Sequence, residues 1–130
     1  MSPRTGSADP VQLLAAALAG LLTLSIVMGA ASLAATVPSP PHDKLPFVGT
    51  NLALSVVALV LTRGCRRVAA WAGALAALSY VPSVGLHKFA TEAHAASLAP
   101  VIVVGSSLVV LAMCSALAVL RRRETALHEP

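Results

Sequence analysis

Five side chains suited to metal ligation or acid–base chemistry fall in two short polar stretches, His42 and Asp43 in one, and His87, Glu92 and His94 in the other. Imidazole and carboxylate groups are good ligands for divalent transition metals. His87 and His94 stand seven residues apart, about two helical turns, so they share a face if that stretch is helical. No HxxxH or HxxE pairing joins them, and nothing in the sequence fixes one stretch against the other. The five form a candidate metal site set beside a plainer reading, solvated loop side chains.

Sulfur chemistry is sparser. Cys65 lies among Arg63, Arg66 and Arg67, a setting that suits a reactive or modified thiol. A small residue in a tight turn explains it more simply. Met28, Met113 and Cys114 offer soft ligands for copper. Their places along their apolar runs differ in depth by about 13 Å at 1.5 Å per helical residue, so ordinary packing accounts for them better. Cys65 and Cys114 show neither CxxC nor finger spacing, which excludes a disulfide framework and a zinc finger. No glycine-rich phosphate loop, nucleophile motif or internal repeat is present. The sequence names no cofactor, and the expectation is a protein without catalytic activity of its own.

The stretches that must position these residues are dominated by apolar side chains. Of 130 residues, 57% are hydrophobic and 11% charged, with a mean hydropathy of +0.83. A soluble domain carries roughly 25% charged residues to cover its surface, so water is not the expected main solvent. Four runs contain no Asp, Glu, Lys, Arg or His: about 11–37, 45–62, 68–86 and 95–120. About 20 apolar residues cross a hydrocarbon core of about 30 Å. AGALAALS and VIVVGSSLVVLAMCSALAVL offer small or apolar residues on every face, without the polar stripe of a soluble amphipathic helix. Between the runs, PSPPHDK breaks the first from the second and RGCRR turns the second into the third. Pro46 falls in a first helical turn, where it is tolerated. Pro82 removes a backbone donor and is expected to kink or end its helix.

The expected fold is therefore all-α: an integral membrane four-helix bundle with short loops and both termini cytoplasmic. Residues 1–10 form an N-terminal tail, 11–120 one transmembrane domain and 121–130 a basic tail. Orientation follows from charge. Arg4, Arg63, Arg66, Arg67, Arg121, Arg122 and Arg123 fall on one side of four spans and only Lys44 and Lys88 on the other; short basic segments stay cytoplasmic. Trp71, one turn into the third run, belongs at that same interface. The first run also admits a signal-peptide reading, with small residues around Ser32-Leu33-Ala34. Its length well exceeds a typical apolar signal core and its basic flank is weak, which favours an uncleaved anchor.

Within lipid, small residues bring helices together by allowing close backbone approach. Ala16-xxx-Gly20 and Ser25-xxx-Gly29 in the first run, and Ala69-xxx-Gly73-xxx-Ala77 in the third, are the expected seams. An Ala-rich chain also produces such spacings by chance. Asn51 is expected to face a neighbouring helix, because an unpaired amide in hydrocarbon is costly.

In size the chain resembles small four-helix multidrug exporters, whose membrane-embedded glutamate has no counterpart here. The turn with Thr62-Arg63, then Arg67 and Ala69-Ala70, resembles DoxX-like small membrane proteins over residues 62–70 alone; it implies a four-span plan and no site residue. Short multi-spanning chains with basic tips, as in RRRETALHEP, also resemble phage holins. Three functions are therefore carried forward. The leading one is a non-catalytic accessory or scaffolding subunit of a bacterial inner-membrane assembly. Behind it stand a small pore, holin or transporter for a neutral solute, and a DoxX-like or metal-handling protein using the outer His and acid groups. The expected partners are the lipid bilayer and either a second copy or another membrane protein. No nucleic-acid partner is expected, because the net charge of +4 comes from basic residues placed between apolar runs.

Overall fold

The computed structural model describes residues 8–34, 45–86, 88–91 and 95–126. They form α1 (Pro10–Leu33), α2 (Leu45–Leu61), α3 (Arg66–Val84), the single turn α4 (Lys88–Thr91) and α5 (Ala95–Ala126). The fold is all-α, with four long helices and no strand among the described residues. Two of the helices are long and apolar enough to cross a membrane, Pro10–Leu33 and Ala96–Arg122 within α5.

Helix boundaries follow local chemistry. Asp9 caps α1, its carboxylate accepting from the Val11 amide at 3.2 Å, and Pro10 fills the first position, where a missing N–H costs nothing. α1 ends at Leu33 with Ala34 as its cap, short of the expected residue 37; residues 35–37 lie outside the described ones. The α2–α3 turn tightens before it leaves the helix. Arg63 and Gly64 donate to the carbonyls of Val60 and Leu61 at 3.1 and 3.0 Å, which occupies the last acceptors of α2. Pro82 is carried inside α3, which stops two residues later at Val84 with Gly85 as its cap; the missing N–H of Pro82 leaves the Leu78 carbonyl without its helical donor. α5 continues past the expected residue 120 because Arg121 to Ala126 includes no helix breaker and is rich in good helix formers.

Neighbouring long helices run antiparallel. The Arg66 guanidinium lies 3.1 Å from the Asp9 carboxylate, which puts the N-termini of α1 and α3 at one end. Each of these two helices packs against both α2 and α5. Across the diagonal, α1 and α3 meet where Leu14 covers Gly73. At the opposite end, Gly105 of α5 lies against Val84, and α5 descends from there to meet Gly20 through Leu108.

The buried face of α5 is Ile102, Gly105, Val109, Ala112, Ala116 and Val119, a three–four spacing sustained over more than two heptads. Leu14, Leu21, Ser25 and Ser32 continue the same rhythm on α1, and Ala69, Gly73, Ala76 and Tyr80 on α3. That period is the one that keeps a seam facing its neighbour in a left-handed bundle. Leu14, Leu18, Leu21 and Tyr80 fill the interior, each at most 2% exposed.

Candidate functional site

The polar chemistry of the interior converges on Tyr80. Its ring is buried between α1 and α2, and its hydroxyl reaches both. Ser25 donates its hydroxyl to Tyr80 Oη at 2.8 Å. Ser55 Oγ lies 2.9 Å away on the α2 side. Tyr80 donates its single proton to the Asn51 carbonyl at 3.3 Å, an arrangement in which Ser55 is the donor to the tyrosine. Asn51 in turn donates from Nδ2 to Ser83 Oγ at 3.3 Å, returning the chain of bonds to α3. Tyr80, Ser25, Ser55 and Asn51 are all buried, and no buried side-chain polar atom among the described residues lacks a partner.

The helices place these groups by the three–four rhythm of their seams. Asn51 and Ser55 are one turn apart on α2, Tyr80 and Ser83 one turn apart on α3. A second contact uses backbone. Ser106 of α5 donates to the Val84 carbonyl at 2.7 Å, occupying one of the acceptors that the end of α3 leaves open. The hydroxyls thus divide by position. Buried Ser25 and Ser55, and half-buried Ser106, reach another helix, whereas exposed Thr23, Thr50 and Ser107 donate to the carbonyl four residues back in their own helix. Ser25, Ser55, Asn51 and Tyr80 thus bond to one another and to Ser83 across three helices. The cluster ties α1, α2 and α3 together.

The expected seams occupy varied places. A Cβ added to Gly73 would stand 2.9 Å from Leu14 Cδ1, and one on Gly20 would stand 3.0 Å from Leu108 Cδ1. Gly29 meets Val48 more loosely, at 3.4 Å. Ala69 and Ala77 are fully buried, Ser25 joins Tyr80, and Ala16 is exposed. Asn51 faces α3, as its amide requires. Trp71 is 57% exposed, one turn above Arg67. Arg63, Arg66, Arg67, Arg121 and Arg122 are exposed; Arg4 lies outside the described residues, as does the Arg123 side chain. The candidate metal ligands His42, Asp43, His87, Glu92 and His94 also lie outside the described residues. Cys65 and Cys114 are both exposed, Cys65 as the residue preceding α3.

Two positions escaped the sequence reading. Tyr80 is the only tyrosine of the chain and stands within an uncharged run. A buried phenol usually finds a hydrogen-bond partner, so its presence there was the available signal. Gly105 carries no small-residue pairing in the sequence, because its partner is the bulky Val84. A Cβ on Gly105 would fall 2.7 Å from Val84 Cβ, nearer than the closest approach at Gly73 or Gly20. On the outer face of α5, an open groove of about 500 Å³ is lined by Leu86, Val103, Val110, Leu111 and Cys114 with two serines. Both serines already donate to carbonyls.

Comparison with protein-family models finds no match for this chain, and neither characterised proteins nor solved structures show significant similarity to it.

Proposed function

We propose that this chain is a four-span integral protein of the bacterial inner membrane, with both termini cytoplasmic, that serves as a non-catalytic scaffolding or accessory subunit of a membrane assembly. One observation carries the reading: the bundle is apolar outside and hydrogen-bonded inside. Ile26, Val27, Phe47, Val57, Val60 and Leu75 are each more than half exposed, while Ser25, Ser55 and Asn51 are buried. A soluble bundle distributes these residues the other way round. Where no water is available, polar groups must be satisfied within the protein. The exposed hydroxyls that donate to their own helices fit that requirement.

Two further features support details of the proposal. α1 supplies Leu14, Ala17, Leu18 and Leu21 to the core, each fully buried, so its removal as a leader would strip one wall from the bundle. Leu18, Leu21 and Tyr80 occlude the interior, which favours a structural role over a pore through a single chain. The reading is tested in two steps. Membranes washed with alkaline carbonate retain the protein, and its release into the wash overturns the membrane assignment. Crosslinking in native membranes followed by mild-detergent extraction captures a second copy or another membrane protein. A lone, uncrosslinked monomer overturns the scaffolding role.

A further inference from the structure

We infer that the outer face of α3 binds one anionic phospholipid, its phosphate held by Arg63 and Arg67 and its chains laid along Trp71, Leu75 and Leu78. The inference rests on the membrane reading and adds a specific lipid contact to it. Arg67, Trp71, Leu75 and Leu78 are spaced four, four and three residues apart, so they form one helical stripe, and all four are exposed. Trp71, Leu75 and Leu78 are 57%, 62% and 51% exposed. The order along the stripe is cation, indole, then aliphatic side chains, matching the order of phosphate, interface and acyl chain in a lipid leaflet.

The electrostatics of the helix end call for an anion. Arg66 and Arg67 occupy the first turn of α3, where the helix dipole is positive and cations are disfavoured. No acidic residue lies in that turn. Asp9 is paired with Arg66, on the side of α3 that meets α1. Arg63 and Arg67 both stay exposed beyond it. Val84 stands eighteen residues above Arg66, and sixteen and seventeen residues down α5 from its neighbour Gly105 stand Arg121 and Arg122, so these exposed arginines lie at the same end of the bundle. A phosphate at Arg67, with Arg63 in the turn just before the helix, would be offered guanidinium charge beside a helix N-terminus.

The test uses the full chain reconstituted in nanodiscs of phosphatidylcholine containing a minor fraction of phosphatidylglycerol, with bound lipid read by native mass spectrometry after release. Wild type retains one phosphatidylglycerol in preference to phosphatidylcholine. Arg63→Gln with Arg67→Gln lowers that retention by roughly thirtyfold, on the scale of about 1 kcal/mol per basic residue at an anionic surface. Trp71→Leu lowers it less. Arg121→Gln with Arg122→Gln removes the same charge from α5 and leaves retention within about twofold. Equal losses from the two double variants overturn the inference, because they indicate diffuse attraction only. Full competition by inorganic phosphate also overturns it, since the lipid chains would then contribute nothing. Failure of the protein to enter phosphatidylcholine nanodiscs at all would instead overturn the underlying membrane reading.

Discussion

The hydroxyl of Tyr80 lies 2.8 Å from that of Ser25, fifty-five residues earlier in the chain, and is the point at which α1, α2 and α3 are hydrogen-bonded together. Tyr80→Phe keeps the ring and removes the shared atom. Hydrogen bonds between membrane helices contribute about 0.6 kcal/mol on average and up to about 1.7. The serines also retain an alternative, since each hydroxyl can turn to a carbonyl of its own helix. The expected loss for Tyr80→Phe is therefore about 1 kcal/mol, measured by reversible unfolding in mixed micelles. In a double-mutant cycle, Tyr80→Phe and Ser25→Ala couple by about 0.5–1 kcal/mol. Additive losses would mean that the pair contributes nothing.

A graded series of glycine substitutions tests the packing. Gly105→Ala drives a methyl to 2.7 Å from Val84 Cβ, an atom fixed to the backbone, so helices must separate. Overpacking of this kind costs about 1–3 kcal/mol. Gly73→Ala meets the far end of the Leu14 side chain at 2.9 Å, which can rotate, and loses less. Gly73→Leu exceeds what that rotation can absorb. Gly49→Ala has open space around it and is neutral, or gains up to about 1 kcal/mol from helix propensity. Melting temperatures in one detergent should rank Gly49→Ala highest, then Gly73→Ala, then Gly105→Ala. A Gly105→Ala protein as stable as wild type would contradict the α3–α5 contact.

These two experiments address unequal parts of what the sequence revealed. The four helices were legible because charge is absent from long runs, a signal that survives without any periodicity. The seams were only partly legible for the same reason. With apolar side chains on every face, hydrophobic period no longer separates inside from outside, and only residue size and hydroxyl position do so. Gly73 stood out through its alanine neighbours. Ile102, Gly105, Val109, Ala112, Ala116 and Val119 form an equally regular seam, yet they mix large and small residues and carry no single compositional mark. Tyr80 was missed because its partners lie on other helices, and nothing local joins Ser25 to Ser55. The α3 boundary was legible from Pro82 to within two residues.

Asp9 has two duties that substitution can separate. Its carboxylate caps α1 through the Val11 amide and pairs with Arg66. The pair is open to solvent, with the Arg66 side chain 59% and that of Asp9 31% exposed, so it is expected to contribute less than about 1 kcal/mol and to weaken with salt. Asp9→Asn keeps the cap and removes the charge, and should cost no more than Arg66→Gln. Asp9→Ala removes both and should cost about 1 kcal/mol more, the worth of an N-cap. Thermal melts at low and high salt check the order. Equal losses for Asp9→Asn and Asp9→Ala would assign the whole effect to the ion pair.

The basic end of the bundle makes the final prediction, which concerns orientation and the fate of α1 together. Asp9, Arg63 and Arg66 share one end with the C-terminal part of α5, where Arg121 and Arg122 are exposed. The proposed topology assigns seven of the nine Lys and Arg to that side, and on the positive-inside tendency it predicts that this side faces the cytoplasm. A cytoplasm-active reporter fused after residue 130 or inserted at residue 64 should therefore be active, and one inserted at residue 40 inactive. Cleavage after Ala34 would leave the C-terminal reporter unchanged, so reporters alone do not separate an anchor from a leader. Intact-protein mass spectrometry does. A mass that includes α1 is expected, because Leu14, Ala17, Leu18 and Leu21 are fully buried against the other helices and Ser25 completes the Tyr80 network. A mature protein beginning near Ala35 would leave Gly73 and Tyr80 facing lipid, and would replace the four-helix reading with a three-helix one.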